Sequence, residues 1–482
     1  MRRTDSGGSG GSLPLTAILA LLLCGCVGLP RHVAKSHSEA LPNPELTTLG
    51  RMVAADEESH KHLSGIRVLS SGDEVLADLI ALADHAERTL DIQYYIIHQD
   101  DSARLLLHHV RLAADRGVRV RVLVDDLNTA GEDRRFMHLS EHANVEVRVF
   151  NPFPGGRSAT WSRLLASVGE IRRINHRMHN KLFVADNALA ITGGRNIGDQ
   201  YFTRDPHSNF IDLDVVAAGG IVPELSASFD AFWNSKYAYP IASVASPVNA
   251  EPSSATPVEN VDSANSTWLE HELESGSVQL AWVPATVLAD RPAKIASETS
   301  PEEEETIANN LSALMRSAKQ ELIIISAYFV PGKDGLALLS DLVGQGVSIR
   351  ILTNSLASTD SPLVDTGYAR YRVPLLKLGV ELSEVRPKLG QKRARFHPFR
   401  SSNASLHAKA LVIDQKTVFI GSMNMDARSA HTNSELGLVI RSPEIARQVT
   451  SLLDDISADG SYRLQLVDHS DRIEWTSGEA ES

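Results

Sequence analysis

Cysteine is almost absent from this chain of 482 residues, and both cysteines, Cys24 and Cys26, lie near its N-terminus. The sequence that follows Cys26 therefore cannot form a disulfide bond or a zinc site built from cysteine thiolates. No later stretch reaches the ~18 consecutive apolar residues that a transmembrane helix needs. These deficits leave a globular protein whose length predicts two or three domains.

The chain also has fewer basic than acidic residues, with 47 lysines and arginines against 60 aspartates and glutamates. The formal net charge is −13, and the sequence contains no stripe of alternating basic and aromatic residues. Proteins that bind nucleic acid nonspecifically carry the opposite charge and use such stripes for base stacking. Nucleic acid is therefore not expected as the partner of this chain.

The N-terminus carries an export pattern. Two arginines precede a short apolar run over residues 13–23, which has the length of a signal-peptide core. The run ends in Leu-Cys-Gly-Cys, and Gly25 followed by Cys26 resembles a bacterial lipobox, in which the cysteine receives lipid chains. A plain signal peptide and an uncleaved anchor are the alternatives.

The lipobox interpretation fixes the first two boundaries and a location. It predicts a lipoprotein-type signal peptide over residues 1–25 and a membrane tether over residues 26–64, with Cys26 as the lipidated residue. A multi-chain anchor holds a protein firmly on a bilayer. We expect a protein of the bacterial cell envelope, on the periplasmic side, and Val27 favours the outer membrane over the inner one.

A second feature is a string that occurs twice, 228 positions apart, with the form H-x-K-x4-D-x6-G-[GS]-x-N. The first copy consists of His179, Lys181, Asp186, Gly193 and Asn196, and the second of His407, Lys409, Asp414, Gly421 and Asn424. One copy is compatible with chance, but two copies with the same downstream glycine and asparagine indicate an internal duplication.

The sequence around each copy repeats as well. Strand, helix and strand are predicted over 89–97, 102–116 and 118–124 in the first half, and over 322–330, 336–343 and 347–352 in the second. This order predicts an α/β protein with βαβ units in mixed sheets. The predicted domains are a first half over 65–240 with its motif at 173–200, a linker over 241–277, and a second half over 278–475 with its motif at 401–428.

Each half supplies one imidazole, one ammonium and one carboxamide. If the motif lies on a strand, His179 and Lys181 share a face, as do residues i and i+2 of any strand. Cleavage of a phosphodiester by imidazole needs one histidine to attack phosphorus and another to protonate the leaving oxygen. We therefore predict that His179 and His407 meet in a single active site at the interface of the halves.

The other motif residues have predicted roles in the same site. Phosphate oxygens would be neutralised by Lys181, Lys409, Asn196 and Asn424, with no metal or other cofactor required. Further phosphate contacts are predicted from Gly193, which permits close backbone approach, and from Ser422, whose counterpart in the first copy is Gly194. Asp212 and Glu435 follow the two motifs at corresponding places and are predicted to orient the histidines. Asp186 and Asp414 either orient the histidines or hold strand and loop together, and the second role is favoured.

These residues resemble the doubled motif of the phospholipase D superfamily, in particular the bacterial cardiolipin synthase C type. The resemblance spans residues 50–475 and is carried by 90–96, 177–181, 193–199, 212–215, 354–357, 367–370 and 405–409. It implies two duplicated αβα-sandwich halves and a catalytic set of His179, Lys181, Asp186, His407, Lys409 and Asp414, with His179 favoured as the nucleophile.

The resemblance also implies the substrates, which are phosphatidylglycerol and phosphatidylethanolamine at a membrane surface. The activity it favours is transfer of a phosphatidyl group through a phosphohistidine to a lipid hydroxyl. Hydrolysis by water, cleavage of nucleic-acid diesters and a non-catalytic lipid-binding role are the alternatives. The lipobox departs from the pattern of the synthases, so the sequence places inner-membrane synthesis in doubt. It specifies no protein partner.

Overall fold

The computed structural model describes residues 29–30, 33–129, 131–155, 170–245, 268–296, 306–388, 403–467 and 470–477. The predicted signal peptide and the lipidation site Cys26 lie outside these residues. None of the helices within the described ranges has the length and apolar character required to span a bilayer.

Both halves contain helices and strands. The helices are α1 Thr48–Glu57, α2 Gly72–His85, α3 Asp101–Asp115, α4 Asp133–Ser140, α5 Ile171–Asn175, α6 Ile221–Trp233, α7 Ile241–Val244, α8 Trp268–Ser275, α9 Ile307–Arg316, α10 Gly332–Gly344, α11 Pro362–Lys377, α12 Ala427–His431 and α13 Pro443–Asp459. The strands of the first half are β1 Ser64–Leu69, β2 Thr89–Tyr94, β3 Arg119–Asp125, β4 Val145–Phe150, β5 Leu182–Ala185, β6 Leu189–Gly193, β7 Ser208–Ile211, β8 Asp214–Gly219 and β9 Ala238–Pro240. Those that follow are β10 Ala281–Val283, β11 Ala285–Ala289, β12 Glu321–Ser326, β13 Ser348–Asn354, β14 Glu381–Val385, β15 Asn403–Leu406, β16 Lys409–Ile413, β17 Thr417–Gly421, β18 Leu436–Arg441, β19 Ser461–Leu466 and β20 Ile473–Ser477.

Two mixed sheets of nine strands form the framework. Their orders are β10-β1-β8-β6-β5-β2-β3-β4-β9 and β11-β18-β17-β16-β12-β13-β14-β19-β20. The predicted strand–helix–strand units are present in both halves, and β2 pairs in parallel with β3 as β12 does with β13. The predicted α/β class with duplicated halves and mixed sheets is therefore confirmed.

Both faces of each sheet are covered, because residues on the central strands alternate between two apolar cores. On β2, Leu90, Ile92 and Tyr94 join a core with helices on the outer face of the first sheet. Residues on the inner faces of both sheets share a single core with α6 and α13, and the outer face of the second sheet packs against α9, α10 and α11. Burial of this shared core holds the two halves together.

Two predicted boundaries differ from the structure. Part of the predicted tether packs on the first half, where the guanidinium of Arg148 donates a hydrogen bond to the Ser36 carbonyl over 2.5 Å and α1 contributes Leu49 to the outer core. The start of the second half is displaced too, because β10 pairs with β1 in the first sheet. The chain passes from one sheet to the other between β10 and β11, after the position predicted at residue 278.

Candidate active site

Short parallel pairings between the halves bring the two motifs together. Strand β7 of the first half pairs with β15 of the second, and the amide of His407 donates to the carbonyl of Ile211 over 2.7 Å. The reciprocal contact is a parallel bridge between Met178 and Ser434, where the amide of His179 donates to the Ser434 carbonyl over 2.9 Å. Each histidine is therefore fixed against the segment that follows the other half's motif.

This arrangement pairs each histidine with a carboxylate of the opposite half. Nδ1 of His179 lies 2.8 Å from Oε2 of Glu435, and Nδ1 of His407 lies 2.5 Å from Oδ2 of Asp212. An ionised carboxylate only accepts hydrogen bonds, so Nδ1 carries the proton and Nε2 is the free nitrogen of the neutral ring. The sequence predicted these carboxylates as orienting groups, but it did not predict that they act across the interface.

All four groups are buried, and their charges are coupled. Burial lowers the pKa of His179 to about 4, although the charge of Glu435 opposes the shift. Burial and then the charge of Lys409 lower the pKa of His407. Burial alone would raise the pKa of Asp212, but the charges of His407 and Lys409 lower it to about 2. At neutral pH, neutral imidazoles therefore face ionised carboxylates.

The two lysines lie beside the histidines, although the local backbone differs from the prediction. Residues 179–181 precede β5, and Lys409 is the first residue of β16, so the paired residues do not share one strand. Nζ of Lys181 donates to the carbonyl of His179 over 2.6 Å, and Nζ of Lys409 donates to the carbonyl of His407. Burial lowers the pKa of Lys181 to about 7 and also lowers that of Lys409.

The asparagines occupy equivalent places in the two halves. Oδ1 of Asn196 accepts a hydrogen bond from the amide of Ile96 over 3.2 Å, and Oδ1 of Asn424 accepts one from the amide of Tyr328 over 3.3 Å. The side-chain carbonyl oxygens of both asparagines therefore already accept hydrogen bonds from backbone amides. The amide nitrogen of Asn196 donates to the hydroxyl of Tyr201 over 2.9 Å, a partner that the sequence did not indicate.

The difference between Gly194 and Ser422 has a structural reason that concerns the carboxylates. A Cβ atom at Gly194 would collide with the carboxylate of Asp212. In the second half, the Ser422 hydroxyl donates to Oε2 of Glu435 and accepts from the amide of Leu436 over 3.0 Å. Ser422 was predicted to contact phosphate, whereas here it holds the carboxylate that faces His179.

Gly193 lies where the packing of β6 against β8 leaves no room for a side chain. A Cβ atom at this position would collide with the side chain of Asp214 and the carbonyl of Leu213. Its lack of a side chain thus permits the close pairing of β6 with β8. The predicted phosphate contact of Gly193 remains a prediction.

Asp186 and Asp414 lie at the far ends of β5 and β16 and bind backbone amides. Asp186 accepts hydrogen bonds from the amides of Glu87, Arg88 and Thr89 over 2.9, 2.7 and 2.8 Å. Asp414 does the same for the three consecutive residues 319–321. The structure separates both from the histidines by a full strand, so their inclusion in the catalytic set is corrected, and the favoured role of holding strand and loop together fits the contacts.

Aromatic residues that sequence reasoning missed surround the histidines. Tyr95 packs edge-on against His179 with ring centroids 4.9 Å apart, and Nζ of Lys181 lies 5.3 Å from the Tyr95 ring centroid. His407 packs against both Tyr201 and Phe210, with ring centroids 5.2 and 5.0 Å apart. The position of Tyr95 could have identified it as a site residue, since it directly follows β2 at the edge of the sheet where the first motif begins.

Comparison with known proteins identifies the family. Residues 79–233 and 311–456 match the model of the "Cardiolipin synthase, PLD-like domain" family. The chain is 39% identical over 432 residues to cardiolipin synthase C of Escherichia coli (strain K12), covering 86% of this chain and 89% of that protein. It is 32% identical to an uncharacterized protein of Helicobacter pylori (strain J99), over 94% of this chain and 91% of that one.

A solved structure supports the fold. The phosphatidylserine synthase of Haemophilus influenzae Rd KW20 aligns with a TM-score of 0.58 at 14% identity, covering 86% of this chain and 92% of that one. Both repeated units match the family model, and together they span more than half of the chain. The chain therefore belongs to the phospholipase D superfamily, in which it is an enzyme similar to cardiolipin synthase C.

Proposed function

We propose that the two halves form one active centre, which transfers a phosphatidyl group between alcohols through a phosphohistidine. The observation that carries the proposal is the crosswise pairing of His179 with Glu435 and of His407 with Asp212. Each imidazole has its Nδ1 held by a buried carboxylate, which leaves Nε2 as the reacting nitrogen. Two oriented imidazoles are what an in-line displacement at phosphorus requires.

In the first step, Nε2 of His179 attacks phosphorus and the P–O bond to the leaving alcohol breaks. The imidazolium of His407 gives its proton to the leaving oxygen. Burial keeps His407 neutral without substrate, and an anionic phosphodiester would favour its protonated form because opposite charges attract. Lys181 and Lys409 would neutralise the charge that builds on the phosphoryl oxygens.

In the second step, neutral His407 takes the proton from the incoming hydroxyl, whose oxygen attacks phosphorus and displaces His179. The finished diester leaves, and both histidines return to their initial states. The similarity to cardiolipin synthase C supports phospholipid substrates. We propose phosphatidylglycerol or phosphatidylethanolamine as the phosphatidyl donor, with glycerol or ethanolamine as the leaving alcohol, and a free headgroup hydroxyl of phosphatidylglycerol as the acceptor.

The location belongs to the same proposal. A lipid anchor at Cys26 would hold the enzyme on the periplasmic side of a membrane of the cell envelope, with the outer membrane favoured. An anchored enzyme meets its lipid substrate at a high effective concentration. Residues 33–57 pack against the first half, so the segment that links anchor and domain is short.

The experiment is a product analysis. Purified protein is incubated with labelled phosphatidylglycerol, with and without phosphatidylethanolamine, and the lipids are resolved by chromatography. We expect cardiolipin from the wild-type protein and no product from the His179→Ala variant. Phosphatidic acid as the only product would show that water is the acceptor and would overturn the transferase proposal.

A further inference from the structure

A cavity of about 360 Å³ lies in the second half, between α9, α10 and α12. Most of its wall is apolar and flexible, consisting of Met315, Phe329, Leu338, Leu339, Met423 and Met425. Exposed charged residues, including Arg316 and Lys333, stand at its margin. A pocket of this size with an apolar wall and a polar margin is typical of a small-ligand site.

The cavity adjoins the candidate active site through the second motif. Met423 and Met425, which line it, flank Asn424 in the sequence. Asn424 is held by the amide of Tyr328, the neighbour of the lining residue Phe329. The cavity therefore lies beside the segment that carries Asn424, although Asn424 itself does not line it.

The equivalent region of the first half is filled. Residues related by the 228-position repeat occupy it, with Phe202 in place of Ala430 and Arg195 in place of Met423. The guanidinium of Arg195 donates to Oδ2 of Asp214 over 2.6 Å, and the second half has Gly437 at the place of Asp214 in the sheet. The small pocket lined in the first half by Leu79, Arg195 and Phe202, among other described residues, has no room for a water molecule.

The duplicated fold by itself therefore does not produce the cavity. It arises from smaller or more flexible residues in only one of two otherwise matched halves. The cavity is open to solvent at its charged margin, so an apolar ligand can enter it and remove its apolar wall from water. Methionine side chains adapt to elongated apolar ligands because they rotate freely and are polarisable.

We infer that this cavity binds one long acyl chain of the phospholipid whose phosphate lies at Asn424. The inference rests on the proposed function for its phospholipid and goes beyond it in assigning the chain to the second half. It makes the two halves unequal, since only the second would hold an acyl chain.

The test uses two variants, each of which places a phenylalanine ring in the cavity from a different helix. Ala430→Phe copies the residue of the first half, and Ala308→Phe adds the same ring from α9, where Ala308 lines the cavity. Ala313→Phe is the matched control, because Ala313 is exposed on the same helix and does not line the cavity. Melting temperatures identify any variant that fails to fold, and the second filling variant then carries the test.

Two readouts are measured. The first is the ratio of turnover on dioleoyl to dihexanoyl phosphatidylglycerol, which we expect to fall at least tenfold in both filling variants and to stay within twofold in the control. The second is saturable binding of the fluorescent fatty acid cis-parinaric acid, which needs no catalysis. We expect the filling variants to bind it at least tenfold more weakly.

The outcomes separate the two proposals. Loss of fatty-acid binding in the filling variants, with no phospholipid turnover by the wild-type protein, would overturn the proposed function and support the acyl-chain site. Phospholipid turnover whose chain-length ratio and fatty-acid binding are unchanged by filling would overturn the acyl-chain site alone.

Discussion

Nδ1 of His407 lies 2.5 Å from a carboxylate oxygen of Asp212, which belongs to the opposite half of the chain. The reciprocal contact joins His179 to Glu435 over 2.8 Å. Neither half contains the partner of its own histidine, so a separated half would present an imidazole without its orienting carboxylate. Each of the two duplicated halves therefore depends on the other for the carboxylate that orients its histidine.

Replacement of the first carboxylate should impair the opposite half's histidine. Asp212→Asn retains the size of the side chain but removes the charge that stabilises the imidazolium of His407. We expect kcat to fall by about 100-fold or more. The pKa of His407 should decrease, because a negative charge that raises it is lost, and the pH optimum should therefore shift toward acid.

A pH–rate profile distinguishes this role from a purely structural one. Asp230→Asn is the matched control, since Asp230 is a carboxylate of the same half paired with Arg121 at 2.8 Å and lies outside the site. The control should keep the wild-type pH optimum. A profile of Asp212→Asn that falls in height without moving would argue that Asp212 only supports the fold.

A trapped phosphohistidine intermediate would show which of the two histidines is the nucleophile. In His407→Ala, the acid–base group is missing while His179 remains, so breakdown of a phosphohistidine should be slowed more than its formation from a substrate with a good leaving group. The variant is reacted with a p-nitrophenyl phosphodiester labelled in the group that is transferred, and the reaction is then quenched. We expect an acid-labile label on His179. His179→Ala should remain unlabelled, and the reverse pattern would assign the nucleophile to His407.

Local patterns in the sequence were sufficient for much of the fold. Helix α3 was predicted over 102–116 and runs over Asp101–Asp115, because its apolar period and terminal glycine are properties of a short window. The pairing of Asp212 with His407 joins residues 195 positions apart and depends on the parallel contact of β7 with β15. No periodicity in either segment specifies its partner.

The misplaced boundary between the two halves also results from tertiary pairing. Strand β10 lies in sequence next to β11, yet it completes the first sheet while β11 enters the second. Both are short apolar runs separated by Pro284. The assignment to different sheets follows from the exposed edges that β1 and β18 offer, which are tertiary features.

The aspartates of the motif should contribute to stability and leave the chemistry intact. Asp186 is buried and accepts three backbone hydrogen bonds. Asp186→Ala leaves these amides without acceptors, so we expect a loss of about 2–4 kcal/mol in the free energy of unfolding. The kcat of the folded fraction should stay within about threefold of wild type.

Asp186→Asn provides the internal comparison, since its one remaining carbonyl oxygen still accepts hydrogen bonds and should recover part of the stability. Denaturant unfolding and active-site-normalised turnover are the two measurements. A variant that folds with wild-type stability but loses turnover would return Asp186 to the catalytic set.

The predicted lipid anchor can be tested with the two cysteines of the chain. Cys26→Ser should prevent lipidation, so that the precursor is not processed by signal peptidase II and carries no label after growth with a radioactive fatty acid. Cys24→Ser is the matched control, two positions away, and should be processed and labelled like wild type. Labelling that survives in Cys26→Ser would contradict the lipobox interpretation.

The buried histidines predict that the protein loses stability in mild acid. The pKa of His179 is about 4 in the folded protein, against about 6.5 in an unfolded chain. Between these values the unfolded state binds more protons, so the free energy of unfolding must fall as the pH decreases from 6.5 toward 4. One such group accounts for about 3 kcal/mol over that window, and His407 acts in the same direction.

Melting temperatures from pH 7 to 4.5 should therefore decline, and the decline should be shallower in His179→Asn, which has no proton to gain. His207→Asn replaces an exposed histidine and serves as the control with wild-type pH dependence. Equal slopes for His179→Asn and wild type would mean that folding does not lower the pKa of His179. A steeper decline in His179→Asn would mean that His179 is already protonated in the folded protein at neutral pH. The first step would then lack a neutral nucleophile, because an imidazolium has no free nitrogen with which to attack phosphorus.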